Sequence, residues 1–283
     1  MKIIECPRDA MQGIQEFIPT DMKVDYLNQL LKVNFDTLDF GSFVSPKAIP
    51  QLKDTAEVLN RLDLNQTKTK LLAILANERG AEDACKFEEI QYLGFPLSVS
   101  ETFQQRNTNK SIQEAFETVQ NIQNLCTVFG KQQVVYLSMG FGNPYGDPYS
   151  PEMMVEFVES LKTMGISIIS MADTIGVSNP TIIKPLFEEL IRLHPDIEFG
   201  AHLHSTPHTA REKVVAAYEA GCRRFDGALR GFGGCPMAKD ELVGNLATEQ
   251  LLEVAKELKE DSGINEMELA KSLLMSNTVF SHA

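Results

Sequence analysis

Short apolar runs alternate with amphipathic stretches along nearly the whole chain. The apolar runs have the length and composition of β-strands, and the amphipathic stretches carry apolar residues at the three- and four-residue spacing of helices. The predicted strands cover 2–6, 36–40, 70–75, 89–95, 132–138, 166–171, 197–203 and 223–227. The pattern therefore predicts alternating β and α units.

Capping signals place several of the predicted helices. Ser150 and Pro151 are typical of an N-cap and a first helical turn, and Gly165 of a helix end. Other helices are predicted from about 21, after 50, from 111, over 180–193, up to 221 and from 248, with an extra one from about 265.

Eight β-α units in 283 residues predict an α/β fold, a (β/α)8 TIM barrel with an additional C-terminal helical segment. We expect one domain over 1–283, with the barrel over about 1–260 and the extension over about 261–283. A doubly wound open sheet is the alternative, but no glycine-rich phosphate turn follows the first strand.

Composition and charge narrow the function. The chain is 43% hydrophobic and 23% charged, which is typical of a globular protein. A net charge of −13 argues against a nucleic-acid or anionic-membrane partner, so an anionic substrate would need a local cationic site. Without a predicted signal peptide, a membrane span or paired cysteine spacing, we expect a cytoplasmic protein with reduced thiols.

Two histidines stand at alternate positions near the end of the seventh strand. Side chains repeat with period two on a strand, so His202 and His204 are expected on one face. Imidazole is the commonest metal ligand in proteins, but two ordinary strand histidines would show the same spacing. The motif alone leaves both interpretations open.

The barrel prediction adds residues to this pair, because active sites of this fold lie at the carboxyl ends of the strands. Asp9 follows the first strand and can supply an oxygen ligand for a hard or borderline divalent ion. A local surface ion pair with Arg8 is the other interpretation. Its place directly after a strand favours a functional role.

Five ordered motifs carry a family resemblance. They are CPRDAMQ at 6–12, SFVSPK at 42–47, DTIGV at 173–177, His202-x-His204, and GFGGCP at 231–236 followed by GNLATE at 244–249. Together they resemble 3-hydroxy-3-methylglutaryl-CoA lyase, a metal-dependent DRE-TIM lyase. The resemblance implies a carbon-carbon lyase that cleaves 3-hydroxy-3-methylglutaryl-CoA to acetyl-CoA and acetoacetate.

The resemblance also implies roles for individual residues. The metal ligands for Mg²⁺ or Mn²⁺ would be Asp9, His202, His204 and Asn245. The catalytic residues would be Arg8 for enolate charge, Asp173 as base, His202, and Cys235 for proton handling. The substrate-binding residues would be Gln12, Asp39, Ser42, Asn107, Ser170 and Thr174. We expect an acyl-CoA substrate and a homodimer.

Several of these residues have simpler interpretations. Cys235 could be a buried small hydrophobe, although the glycines before it and the proline after it indicate an exposed, bendable loop. Asp173 and Asn245 could cap following turns or helices. Cationic side chains at Lys47, Arg106 and Lys239 could meet CoA phosphates or be merely solvated.

The chain also departs from the lyase pattern. Ala10 replaces a glycine, Asp39 a longer glutamate, Ser205 an acid or amide, and Val134 an arginine; the interval from Cys235 to Asn245 is one residue longer. Asp39 and Val134 bear on the acyl substrate. A related acyl-CoA lyase or Claisen-condensing synthase, and a non-catalytic acyl-CoA-binding barrel, are therefore the alternatives.

Overall fold

The computed structural model of the protein describes residues 1–233 and 243–281. Within them, eight parallel strands close into a barrel in chain order, and the first strand pairs with the last. The strands are β1 Lys2–Glu5, β2 Thr37–Ser42, β3 Lys70–Ile74, β4 Ile90–Ser98, β5 Gln132–Ser138, β6 Ile168–Asp173, β7 Glu198–Leu203 and β8 Arg224–Gly227. The predicted TIM-barrel fold is confirmed.

Helices surround this barrel. They are α1 Pro7–Gln12, α2 Thr20–Leu31, α3 Thr55–Leu59, α4 Glu78–Cys85, α5 Glu101–Thr108, α6 Ile112–Phe129, α7 Pro151–Thr163, α8 Pro180–Leu193, α9 Ala210–Glu219, α10 Thr248–Glu257 and α11 Glu266–Val279. Short 3₁₀ turns cover Pro50–Leu52 and Leu229–Gly231.

The predicted helix starts at Ser111 and Ser150 are confirmed by side-chain caps. The Ser150 hydroxyl accepts from the Met153 amide at 3.2 Å, and Pro151 opens α7. Ser111 caps α6, and its capping box with Glu114 adds a second reciprocal bond. Short-range hydrogen bonds therefore determine these helix starts.

The helices α1, α4 and α5 were not predicted. Their sequences are short, so they lack the long apolar stripe that marks a barrel helix. Side-chain caps define two of them: Asn77 accepts from the Gly80 amide at 2.9 Å, and Ser100 from the Phe103 amide at 3.2 Å. These helices extend the strand ends around the site.

Strand six differs from its prediction at both ends. It covers Ile168–Asp173 rather than 166–171, so Asp173 belongs to the strand and not to the loop after it. Ile169 and Met171 belong to the core between barrel and helices, whereas Ile168 packs in the barrel interior. The alternation of strand side chains gives Asp173 the outward direction.

The barrel interior has a small apolar core of its own. Its members are Leu72, Ile74, Tyr92, Val134, Tyr136 and Ile168. Val134, which departs from the lyase pattern, is completely buried there. The interior is therefore filled by side chains, and the site lies above them at the strand ends.

The C-terminal helix α11 packs against α2. The Tyr26 and Phe280 rings meet edge to face at 5.8 Å, and the Phe232 ring stacks on Phe280 at 4.7 Å. Arg230 donates to the Leu273 carbonyl at 3.0 Å. The extension thus contacts the segment that follows β8.

None of the helices in the described part of the chain is long and apolar enough to cross a membrane.

Candidate active site

A cavity of about 490 Å³ opens at the carboxyl ends of the strands. Predicted site residues on its wall are Arg8, Asp9, Gln12, Asn107, Thr174, His202 and His204. Further polar residues on the wall are Arg106, Tyr136 and Ser138. The structure thus brings together groups from the first, fourth, fifth, sixth and seventh β-α units.

Three of these residues form a candidate metal site. One ligand atom each from Asp9, His202 and His204 lies within 4.8 Å of the other two. The histidine rings are 5.6 Å apart, as expected for alternate positions at the end of β7. Asp9 comes from α1, directly after β1. The predicted convergence is therefore confirmed, and the role of the residues as ligands stays a prediction.

Asn245 joins this group. Its side-chain amide donates to Asp9 Oδ2 at 2.7 Å and to the Phe232 carbonyl at 2.9 Å, and its backbone bridges to His204. Helix α10 has Ala247 as its N-cap, so the alternative that Asn245 caps this helix is wrong. A carboxylate, two imidazoles and an amide suit a borderline divalent ion. The donor set therefore fits a metal.

Arg8 is fixed by acceptors on two sides. Its Nε lies 3.0 Å and its Nη2 2.5 Å from Asp39 Oδ2, while Nη1 donates to Asp9 at 2.8 Å and to Gln12 at 2.9 Å. Of the five guanidinium N–H groups, these bonds leave one on Nη2. The cation is thus held rigidly at the edge of the metal group.

Burial and neighbouring charges shift the pKa values of this cluster. Complete burial raises the pKa of Asp39 to about 6, against the opposing effect of Arg8. Burial also opposes ionisation of Asp9, but Arg8 and His202 outweigh it and hold the Asp9 pKa below its usual range. Burial and the adjacent His202 lower the pKa of His204 to about 4. The arrangement favours the ionised form of Asp9 and the neutral form of His204, which are the forms that bind a metal.

Asp173 lies away from the cavity. Its carboxylate accepts from the Ser178 hydroxyl, from the Ser178 amide at 3.1 Å and from Lys213 Nζ at 2.9 Å, with no exposed side-chain surface. Its outward direction on β6 is the physical reason. The structure does not bring Asp173 to the position that a base for a bound substrate would need.

Three predicted substrate-binding residues also lie off the cavity wall. Asp39 holds Arg8 from below, and the Ser42 hydroxyl bonds the Ile74 carbonyl at 3.2 Å and the Val44 amide at 3.2 Å. Ser170 is completely buried on the inner face of β6. All three side chains are buried and do not line the cavity.

Sequence reasoning missed Asp226, Lys213 and Tyr136. Asp226 Oδ2 lies 3.0 Å from His202 Nδ1, and the Tyr136 ring meets the His202 ring edge to face at 5.6 Å. Lys213 links Asp173 to the His204 carbonyl, the latter at 2.7 Å. Strand alternation could have placed Asp226 and Tyr136 inside the barrel, but nothing in the sequence singles out Lys213 on α9.

Two predicted residues, Cys235 and Lys239, lie outside the described residues. Arg106 is on the cavity wall, with its guanidinium 4.6 Å from the centre of the Tyr145 ring. Lys47 is exposed beside the same end of the barrel but does not line the cavity. Arg106 is therefore the candidate for CoA phosphates that the described cavity presents.

Comparison with known proteins gives one consistent result. The HMGL-like family model matches residues 2–275. The hydroxymethylglutaryl-CoA lyase YngG of Bacillus subtilis (strain 168) is 33% identical over 252 residues, covering 89% of this chain and 83% of that protein. The mitochondrial hydroxymethylglutaryl-CoA lyase of Mus musculus is 30% identical over 275 residues, covering 96% and 83%.

Solved structures agree with these relatives. An HMG-CoA lyase from Acinetobacter baumannii, in complex with coenzyme A and 3-methylmalate, matches with a TM-score of 0.91 at 31% identity, over 100% of this chain and 92% of that one. The Bacillus subtilis HMG-CoA lyase matches with a TM-score of 0.91 at 31% identity, over 98% and 92%.

Proposed function

This chain belongs to the HMGL-like family, and from that premise we propose that it is a divalent-metal-dependent carbon-carbon lyase. The proposed reaction cleaves 3-hydroxy-3-methylglutaryl-CoA to acetyl-CoA and acetoacetate. The observation that carries the proposal is the cluster of Asp9, His202 and His204 on one cavity wall, directly beside the buried guanidinium of Arg8.

The proposed ligands are Asp9, His202, His204 and Asn245, and the proposed ion is Mg²⁺ or Mn²⁺. Carboxylate and amide oxygens favour these hard ions, and the imidazoles extend the preference toward Mn²⁺. When bound, the ion would supply Lewis-acid polarisation of substrate oxygens. Asp9 would have to exchange its hydrogen bond from Asn245 for a bond to the ion.

Arg8 is proposed to stabilise the enolate charge that develops on the thioester when the C2–C3 bond breaks. Asp39 and Gln12 hold the guanidinium in place before substrate arrives, so little reorganisation is needed at the moment of reaction. The remaining Nη2 N–H is the donor available to the thioester oxygen. Asp39 is therefore proposed as a positioning residue for Arg8 and not as a substrate contact.

Proton transfer is proposed for Cys235. Asp173 does not line the cavity, and His202 has one nitrogen engaged with Asp226, which leaves Nε2 for the ion. In the proposed sequence the thiolate takes the tertiary hydroxyl proton, the electrons of the C2–C3 bond pass to the thioester enolate, and the thiol returns the proton to C2. Acetoacetate and acetyl-CoA then leave with all atoms balanced.

The remaining cavity residues are proposed to bind the acyl-CoA. Gln12, Asn107 and Thr174 offer polar groups at the wall, and Arg106 a cation for a phosphate. Ser42 and Ser170 are proposed to shape the wall from behind. We also propose a single domain over residues 1–283, a homodimer and a cytoplasmic location.

A substrate panel tests this proposal. Purified protein with Mn²⁺ is given 3-hydroxy-3-methylglutaryl-CoA and several other 3-hydroxyacyl-CoA thioesters, and acetyl-CoA and the partner acid are measured directly. Equal amounts of acetoacetate and acetyl-CoA are expected from the named substrate. Cleavage of another thioester alone would reject the named substrate, and turnover in the condensing direction alone would favour a synthase.

A further inference from the structure

We propose that Asp226 is a positioning residue, which fixes the ring orientation and the tautomer of His202 at the candidate metal site. The inference rests on the function proposed above in one respect, the assignment of His202 as a ligand. Asp226 does not line the cavity, and its proposed role is to act through His202.

Strand alternation brings the two side chains together. Gly200 and His202 lie on the inner face of β7, and Gly200 pairs with Arg224 on β8. Two residues further along each strand, the Asp226 side chain therefore points inward beside His202. Asp226 Oδ2 lies 3.0 Å from His202 Nδ1, and the exposed fractions of the two side chains are 1% and 13%. The hydrogen bond is therefore buried beneath the site.

The chemistry of this bond determines the tautomer. An ionised carboxylate only accepts hydrogen bonds, so Nδ1 must carry the proton when the ring is neutral. The lone pair then lies on Nε2, the nitrogen that remains for a ligand bond. A carboxylate behind a metal-binding imidazole orients the ring and increases its basicity.

The ring of His202 is also fixed from the side. The Tyr136 ring contacts it edge to face at 5.6 Å. By contrast, the ring of His204 makes no side-chain hydrogen bond within residues 1–233 and 243–281. The two histidines thus differ, and His202 is the one whose orientation is set before an ion arrives.

The cost of burying Asp226 supports a specific role. Its second oxygen, Oδ1, is buried without a hydrogen-bond partner among the described residues. Buried carboxylates that serve stability alone normally have all their acceptor sites satisfied. Arg224 lies two positions earlier on the inner face of β8 and makes no hydrogen bond to Asp226. The Arg224 charge therefore affects Asp226 only through space.

The test uses Mn²⁺ as probe with the intact protein. Mn²⁺ affinity is measured by calorimetry for the wild type and for Asp226→Asn, and the tautomer of His202 is read from its ring nitrogen shifts by NMR on metal-free protein, above the pKa of the ring. We expect Asp226→Asn to weaken Mn²⁺ binding by roughly 10–100-fold and to reduce the Nδ1–H population.

A neighbouring carboxylate provides the control. Glu198→Gln removes a negative charge from the same strand as His202, where Glu198 bonds Lys2 at 2.7 Å and Arg224 at 3.3 Å but not the histidine. It should leave the Mn²⁺ affinity and the tautomer as in the wild type. An equal loss in both variants would overturn the proposal, because general charge would then be responsible.

Two further results would contradict the inference. One is Asp226→Asn protein with unchanged Mn²⁺ affinity and an unchanged tautomer. The other needs no variant, should Asp226→Asn fail to fold: wild-type His202 with its proton on Nε2. Neither reading depends on turnover, so failure of the proposed lyase activity would leave this result intact.

Discussion

At the residue scale, the buried charge of Arg8 is stabilised by neighbouring carboxylates. Asp39 and Asp9 each accept from the guanidinium, and the pair with Asp39 is completely shielded on the carboxylate side. A buried cation without such partners would be strongly unfavourable. The carboxylates thus allow Arg8 to stay charged where new negative charge is expected.

Replacement of Arg8 should therefore affect the chemical step. Arg8→Gln removes the charge but keeps polar contact with Asp39, and kcat should fall by about 10²–10³-fold, as on loss of an oxyanion donor. Steady-state kinetics at saturating Mn²⁺ measures this. Arg106→Gln is the comparison, expected to raise KM for the thioester more than it lowers kcat. A kcat for Arg8→Gln near that of the wild type would show that Arg8 is structural.

Cys235 can be tested in the same way, although it lies outside the described residues. Cys235→Ala should reduce kcat by at least about 10²-fold, within the range for acid-base groups, with metal content unchanged. Cys126→Ala on α6 is the matched control, because Cys126 is buried away from the cavity. Comparable turnover in the two variants would count against proton transfer by Cys235.

At the scale of elements, Lys213 joins three segments around the site. From α9 it donates to Asp173 on β6 at 2.9 Å, to the His204 carbonyl after β7 at 2.7 Å and to the Gly176 carbonyl at 3.1 Å. The side chains of Lys213 and Asp173 are almost entirely buried. The ion pair therefore holds the ends of two neighbouring strands in register.

Breaking this pair should be costly. Lys213→Met keeps the length of the side chain but leaves Asp173 as an uncompensated buried charge, which costs about 3–5 kcal/mol of unfolding free energy. Urea unfolding measures the loss. The double variant Lys213→Met/Asp173→Asn should recover part of it, and a double variant as unstable as the sum of the singles would exclude direct coupling.

Glu5 connects both ends of the segment that follows β8. Its carboxyl group accepts from the Leu229 amide at 2.8 Å and from the Thr248 hydroxyl at 2.5 Å. Complete burial raises the pKa of Glu5 from 4.5 to about 8, against the effect of these two bonds. The folded state therefore binds the proton more tightly than the unfolded chain.

A pH dependence of stability follows from this shift. The contribution of Glu5 is fully present below its unfolded pKa of 4.5 and is lost as the pH rises through about 8, by at most about 1.4 kcal/mol per pH unit. Glu5→Gln should remove this slope. Urea unfolding of both proteins across the range measures it, and parallel curves would show that Glu5 does not titrate on unfolding.

At the scale of the whole molecule, the barrel was predictable because each β-α unit shows its own pattern of an apolar run followed by an amphipathic stretch. Strand five and helix α8 appear with the predicted bounds. Helices without an apolar stripe were missed, since their starts depend on single side chains such as Asn77 and Ser100. Local periodicity therefore predicts the barrel strands and the long helices better than the short helices that follow the strands.

The candidate site was predictable only in part. The convergence of Asp9 with the two histidines at the end of β7 follows from the barrel alone, because strand ends meet at one face. Sequence reasoning placed Asp173 in the loop after strand six, whereas Asp173 is the last residue of the strand and the alternation of side chains turns it outward. Strand alternation could have predicted that Asp226 points inward, but the hydrogen bonds that Asp226 and Lys213 make join residues from different elements of the fold, which no sequence spacing reveals.

Metal removal and restoration test the central claim most directly. Protein freed of metal by chelation and verified by elemental analysis is given 3-hydroxy-3-methylglutaryl-CoA, and acetoacetate and acetyl-CoA are measured before and after addition of Mg²⁺ or Mn²⁺. The account predicts no cleavage without the ion and equal amounts of both products once it is restored. Undiminished cleavage by the verified metal-free protein would contradict it.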